Sequence, residues 1–481
     1  MDLSYRFPNE LWLEVFAHLP LDALRNLSST RRALYDIARP LDFTDFRLYF
    51  YQYDLQPPKE KLDDALERLS FWSSPRIAPL VRSCTATWNM YRWHGSAQVE
   101  DTGSAHVLVN TFFERLPLFT GLQRLYTDRV QFTQTGIVNL CALPALTHAE
   151  FTSSRVAAGE HLDPSSSTLR VATFITRFDY MNDFWIALLS HDILRELKLS
   201  DNHALADSKV PPFPNVHTLT VSDISMRGRE ISSILTKFPA VRIFSTDYTG
   251  VLRDMTPMQE SSIFPVLQEY TGAYQNLHIF VQRTSLTHIT LESGYPFRNL
   301  LPELHGVTAL RNITSLTARF STSVEDMFDE AEINTIFTFF PCLSELQLSL
   351  LPDAEDDGGF TPQATSFLQM LATMTSLPST LKSLSLDWDF PYQYGSTDSA
   401  KGNDPAAPDP ALIPDFTRLR NKLMAKCPSL TYLFLDGYHF LFLRWETSWV
   451  WEATAKSYDD AEILRGQMSE RKYGPLVFRV C

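Results

Sequence analysis

DILRELKL, residues 192–199, places Leu194, Leu197 and Leu199 at the first, fourth and sixth positions of a short phrase, with variable residues between them. Side chains two apart on a strand point the same way, so this spacing buries one face and leaves the other to solvent. One strand says little; its copies decide the fold. The phrase returns as TGLQRLYT (Leu122), PALTHAEF (Leu146), STLRVATF (Leu169), PNVHTLTV (Val216), PAVRIFST (Val241), PVLQEYTG (Leu267), TSLTHITL (Leu286), RNITSLTA (Ile313), PCLSELQL (Leu343), STLKSLSL (Leu381) and PSLTYLFL (Leu430). Most successive anchors lie between 19 residues apart (Leu267 to Leu286) and 30 apart (Ile313 to Leu343), and the longer gaps ahead of Leu381 and Leu430 call for insertions.

Between the phrases run stretches with helical spacing of apolar residues, among them IVNLCAL, FWIALLSH, EISSILTKF, EINTIFTFF, ATSFLQMLATM and FTRLRNKLMAKC. Ser323 with Asp326, and Thr361 with Pro362, are start signals for two of them. Strand and helix therefore alternate in units too small to bury a core alone, which must stack on their neighbours. The spacing brackets the leucine-rich repeat period of roughly 20 to 29 residues. A closed α/β domain is the competing architecture, and the lack of a Gly-rich phosphate loop disfavours it.

Outward from the repeats, the N-terminal stretch FPNELWLEVFAHLPLDALRNLSSTRRALYDIARPL, residues 7–41, reads as three short amphipathic helices. Pro8 has the φ of a first helical position. Leu11, Val15, Phe16 and Leu19 form one apolar face, with Asn9, Glu10, Glu14 and His18 turned away. Pro20 ends that helix; Asp22 is placed to cap a second carrying Leu24 and Leu27, and Ser28 or Ser29 a third carrying Ala33, Leu34, Ile37 and Ala38. A unit below about 40 residues usually needs a partner for stability, so the segment reads as a docking module.

These residues resemble the F-box, whose pattern is matched here by Phe7-Pro8, Glu10, Val15-Phe16, Leu19-Pro20 and Asp22-Ala23-Leu24. Two departures are apolar: Phe7 stands where leucine is commoner, and Leu34 where tryptophan is frequent. The resemblance implies binding to the Skp adaptor, and through it a cullin, of Skp/Cullin/F-box ubiquitin ligases, with the rest of the chain choosing the protein to be modified. By position, Phe7, Pro8, Leu11, Val15, Phe16, Leu19, Pro20, Leu24 and Leu27 would face the adaptor or hold the surface that does. Phrases introduced by Phe-Pro or Cys-Pro, at Phe213, Phe238, Phe264, Phe340 and Cys427, resemble the divergent leucine-rich repeats that follow F-boxes in fungal proteins.

The expected fold is thus α/β: a three-helix F-box over residues 1–45, a linker and capping helix over 46–76, and a leucine-rich repeat solenoid over 77–437. That solenoid is expected as a horseshoe with parallel strands on its concave face, its first strand carrying Val81, Cys84 and Trp88. Residues 391–411, rich in Gly, Ser, Asp, Pro and Ala, read as a mobile insertion. The acidic DAEDDGG after Pro352 reads as solvated loop. Residues 438–481 break the phrase and read as a C-terminal cap, with Trp445, Trp449 and Trp451 plugging the stack under a covering helix.

A net charge of −14 with scattered basic residues disfavours nucleic acid, which needs a basic stripe to displace counterions. Five cysteines without a CxxC pair suggest thiols of a reducing compartment. MDLSYRFPNE lacks the order of a signal peptide, and YHFLFLRW is too short to span a bilayer, so the expected location is cytoplasmic or nuclear. The twelve histidines fall into no HExxH or metal-spaced pair, and GxSxG and P-loop patterns are absent. The expectation is a non-catalytic protein without cofactor or metal.

Target choice should fall on the variable strand positions: Arg124, Tyr126, Arg170, Thr173, Arg195, Lys198, His217, Thr220, Arg242, Gln268, His288, Glu345, Gln347, Lys382, Tyr432 and Phe434, with Trp388 nearby. Basic residues in the early and middle repeats fit an acidic or phosphorylated segment, and the aromatic later end fits an apolar anchor. The sequence therefore reads as a ligase substrate receptor, the alternative being a repeat scaffold with no ligase role.

Overall fold

In the computed structural model, residues 9–50, 59–88, 103–156, 168–177, 182–201, 205, 210–223, 233–246, 262–295, 300, 310–322, 330–352, 377–387, 416–437, 441–446 and 449–454 are described. The chain divides into two compact units, Met1–Met226 with Ser233–Pro239, and Arg227–Ser232 with Ala240–Cys481.

The first unit opens with helices α1 (Asn9–Ala17), α2 (Leu21–Thr30) and α3 (Arg32–Asp42). Phe16, Leu24 and Ala38, one from each helix, form their buried centre, with Trp12, Leu19, Leu27, Leu34, Ile37 and Leu41 packed around it. The capping expectations fail here. Pro20 is the N-cap of α2, without a side-chain bond, so Asp22 lies inside the first turn, where its charge still opposes the helix dipole. The hydroxyls of Ser28 and Ser29 donate back to the carbonyls of Arg25 and Asn26, because α2 is still running there. Arg31, in extended conformation, precedes α3 instead.

Strands β1 (Asp45–Phe50), β2 (Ser83–Trp88), β3 (Arg124–Asp128), β4 (Gln131–Phe132), β5 (His148–Thr152), β6 (Arg155–Val156), β7 (Thr173–Arg177), β8 (Glu196–Asp201) and β9 (Thr218–Asp223) follow. The short β4 and β6 pair with each other. The other seven form one parallel ladder in chain order. Helices α4 (Lys59–Trp72), α5 (Gly103–Arg115), α6 (Gln134–Cys141) and α7 (Asn182–Leu188) lie on the returns. The ladder begins earlier than expected. DFRLYF, which starts at the last residue assigned to the helical module and runs into the stretch read as linker, is β1, with Phe46, Leu48 and Phe50 buried in strict alternation. Only Phe43 and Thr44 separate it from α3, and the Thr44 carbonyl accepts from the N–H groups of Arg82 and Ser83.

The second unit carries β10 (Ile243–Thr246), β11 (Glu269–Gly272), β12 (His288–Tyr295), β13 (Ser315–Thr322), β14 (Glu345–Pro352), β15 (Ser383–Asp387), β16 (Tyr432–Gly437), β17 (Leu441–Glu446) and β18 (Trp449–Thr454). From β10 to β16 the pairing is parallel. It then turns antiparallel, β16 to β17 to β18. Trp445, Trp449 and Trp451 belong to these last two strands. The stretches expected as mobile insertion and covering helix lie outside the described residues, as do the acidic loop, ATSFLQMLATM and both start signals around Ser323 and Thr361.

One backbone device recurs throughout. At most anchors the residue just after offers its carbonyl to two successive N–H groups of the next repeat. Gln123 accepts from Thr147 and His148, Thr287 from Thr314 and Ser315, and Lys382 from Thr431 and Tyr432. Residues just before an anchor add side-chain bonds: Asn312 Nδ2 donates to the Leu286 carbonyl at 2.6 Å, and Ser429 Oγ to that of Leu381 at 2.9 Å. This device corrects one anchor. In the third repeat the carbonyl partner is Thr147 and the N–H groups belong to Ala172 and Thr173, so the anchor is Val171 and not Leu169. Leu169 instead bridges to Leu189 on the return.

Candidate interaction surfaces

The first surface lies on α1. Phe16 and Leu24 are 1% and 3% exposed, so they build the module's interior, while Leu11 and Val15 stand 47% and 53% exposed. Leu19 and Leu27 are half-buried and Pro20 is exposed; Phe7 and Pro8 lie outside the described residues. The nine expected adaptor residues therefore divide by burial. The buried members could reach a partner only by unfolding the module, since each holds about 1.5 to 3 kcal/mol of burial energy. Leu34, the departure from the F-box pattern, packs on that interior. Behind it, Phe43 meets Trp72 with ring centroids 5.5 Å apart, and Arg39 Nη2 donates to the Arg76 carbonyl at 3.0 Å. These contacts tie the helices to the start of the ladder.

The second surface is the solvent side of the first unit's sheet. Register aligns Asp45, Ser83, Arg124, His148, Thr173, Glu196 and Thr218 in one row. The next row is Arg47, Thr85, Tyr126, Glu150, Ile175, Lys198 and Thr220. Sequence reading placed cations here without their carboxylates. Arg177 Nη2 lies 3.1 Å from Glu150 Oε1, and Lys198 Nζ 2.9 Å from Glu196 Oε1. His148, with Nε2 at 3.9 Å from Glu150 Oε2, and Arg177 hold the Glu150 carboxyl below its usual value, against the burial that would raise it. Of the two, only the Arg177 contact has hydrogen-bond length. Of the basic residues expected to meet a target, Lys198 is thus the one with a carboxylate beside it among the described residues.

Arg124, Tyr126 and Lys198 occupy the rows as expected. Arg170 is exposed but precedes the strand, a consequence of the shifted anchor. Arg195, His217 and Arg242 sit just after their anchors, at the strand starts, where their carbonyls or N–H groups serve the backbone device. His217 Nδ1 is engaged by the Asn215 carbonyl.

In the second unit the corresponding rows are Ile243, Glu269, His288, Ser315, Glu345, Ser383 and Tyr432, then Ser245, Thr271, Thr290, Thr317, Gln347, Ser385 and Phe434. Tyr432 is 9% exposed, which contradicts its expected role as an open aromatic anchor. Phe434 is half-buried, and Trp388 lies outside the described residues.

Sequence reading missed Arg47 and Tyr49, both exposed on β1, and Glu150, Arg177 and Glu196. The strict alternation of DFRLYF was the available signal for the first pair. Row partners from separate repeats need the register, which no single stretch carries.

Among the described residues no three His, Cys, Asp or Glu side chains could hold a metal ion, and no helix is long and apolar enough to cross a membrane. Cys84, Cys141, Cys342 and Cys427 are free thiols, and burial pushes Cys141 up to about 11 and Cys84 higher still, away from nucleophilic chemistry. Stacked strand-and-return units with these anchors define a leucine-rich repeat fold, a class that offers extended binding surfaces. No family model matches the chain, and no curated protein does. Among solved structures, an internalin of Listeria monocytogenes is similar at 15% identity, over 79% of this chain and 89% of the internalin, with a TM-score of 0.36. The fold assignment rests on the ladder itself.

Proposed function

We propose that the protein is a substrate receptor of a Skp/Cullin/F-box ubiquitin ligase, taking the Skp adaptor on the N-terminal helices and a target protein on the solvent side of the repeats. One observation carries this reading: Leu11 and Val15 stand open on α1 although the three helices already have a complete interior in Phe16, Leu24 and Ala38. Two aliphatic side chains on one helical turn, unneeded by the fold, suit a partner's apolar groove. The chain itself performs no chemistry in this scheme; transfer of ubiquitin belongs to other subunits.

Co-precipitation of the full chain with the Skp adaptor is the test. Leu11→Ala combined with Val15→Ala should abolish capture and shift stability by less than about 1 kcal/mol, since both residues are exposed. Phe16→Ala should cost about 3 to 5 kcal/mol and lose capture through unfolding of the module. Undiminished capture by the double variant overturns the receptor reading and leaves the repeat scaffold without a ligase.

A further inference from the structure

Strands β1 and β3 flank β2, and side-chain size makes a trough of the three. Register places Ser83 between Asp45 and Arg124, Thr85 between Arg47 and Tyr126, and Thr87 between Tyr49 and Asp128. Three short hydroxyl residues floor it; arginine and tyrosine form each wall. With strands about 4.8 Å apart, the walls stand about 10 Å from each other, room for one extended chain. Tyr49 is 47% exposed, and Arg47 and Arg124 are exposed.

The charges in the trough differ from those of the neighbouring strands. Arg47, Arg124, Arg177 and Lys198 are the Arg and Lys residues on the solvent side of the described strands of this unit's long parallel sheet. Arg177 and Lys198 are engaged by Glu150 and Glu196. Arg47 and Arg124 have no ion pair among the described residues. Asp45, which accepts from Thr44 Oγ1 at 3.4 Å, and Asp128, 3.8 Å from Arg129 Nε, mark the two ends. Arg47 in the middle row and Arg124 in the Asp45 row thus carry guanidinium groups not paired in an ion bridge on opposite walls, and such a guanidinium gains from a carboxylate.

We propose that this trough seats an extended segment of the partner protein that presents one acidic side chain, Asp or Glu, to Arg47 and Arg124 and an apolar or aromatic one to Tyr49 and Tyr126. This deepens the reading above, because it takes the sheet as the target surface. The hydroxyls of Ser83, Thr85 and Thr87 can donate to or accept from the main chain of such a segment. Arginine and tyrosine are the residue types that concentrate binding energy at interfaces.

A phage-displayed random dodecamer library selected on the full chain, followed by fluorescence-polarisation titration of the recovered peptides, tests the proposal. Recovered peptides should share an Asp or Glu beside an apolar or aromatic residue. They should bind about tenfold more weakly to Arg47→Ala and to Arg124→Ala, and unchanged to Lys198→Ala, whose ammonium is already paired. Arg124→Glu should reverse the preference, favouring the peptide whose acid is exchanged for lysine. Thermal midpoints measured alongside should match the parent, since both arginines are exposed. Recovery of no peptide, an acid-free consensus, indifference to both arginines, or binding that requires phosphoserine in place of the acid overturns the proposal. Adaptor capture through Leu11 and Val15 is read separately, so either proposal can fail while the other stands.

Discussion

The two units solve one packing problem with different side chains. The first unit's inner column runs Phe46, Cys84, Leu125, Ala149, Phe174, Leu197 and Leu219, with large and small alternating as far as Phe174. The second unit's runs Phe244, Tyr270, Ile289, Leu316, Leu346, Leu384 and Leu433, settling into leucine. Rings from the returns pack against the strand rings of this unit. Trp185 reaches Phe151 at 4.7 Å and Phe132 at 5.0 Å, and Phe119 stacks on Phe46 at 5.8 Å. The solvent sides differ too: ion pairs cross the first sheet, while hydroxyls line much of the second. A fixed backbone ladder thus tolerates both a shape-matched aromatic interior and a repetitive aliphatic one.

The sharpest way to break this contrast is to remove its centre. Trp185→Ala should cost about 3 to 5 kcal/mol, and Leu384→Ala nearer about 2 to 3, in denaturant titration. Equal losses would mean that the ring cluster is no better packed than the leucine column. Next in size, Gly136→Ala places a methyl 2.8 Å from the Phe113 ring. Overpacking of about 1 to 3 kcal/mol should outweigh the gain in helix propensity of about 1 kcal/mol, giving a lower thermal midpoint. A raised midpoint would show the first interior to be loose.

Smaller effects sharpen the comparison of the solvent sides. Glu150→Gln should cost about 0.5 to 1 kcal/mol at neutral pH, a value discounted for partial exposure. The native Glu150 carboxyl is held below its usual value, so its stabilisation is complete above the unfolded-state value and is lost as pH falls through the folded one. The variant should therefore match wild type in strong acid, and a constant gap across pH would refute the ion-pair account. Thr317→Ala, on the hydroxyl row of the second unit, should change stability by less than about 0.5 kcal/mol.

The repeat phrase was legible because its signal is local: Leu194, Leu197 and Leu199 declare a buried strand face without help from elsewhere. The Leu169 anchor misled because Leu169 and Val171 are both apolar and two apart, so the phrase fits either; only the hydrogen bonds from Ala172 and Thr173 fix the phase. Strand β1 was missed although Phe43, Phe46 and Leu48 fit the phrase, because it follows α3 directly and was read with the N-terminal helices and linker. The helix starts were misread because Ser28 and Ser29 can bond backwards as well as cap. The surfaces were half legible. Arg124 and Tyr126 could be assigned to the open side, but the carboxylates that silence Arg177 and Lys198 come from other repeats or other rows.

The carbonyl that takes two N–H groups from the following repeat has a wider consequence. Alignment passes from strand to strand through main-chain carbonyls, joined by side chains such as Asn312 and Ser429 that lie before the strands, so no side chain on the open side is required to keep the stack in step. Recognition and folding are written in separate alphabets, and residues such as Arg47 or Arg124 can be exchanged to retune what the protein holds without asking the scaffold's permission.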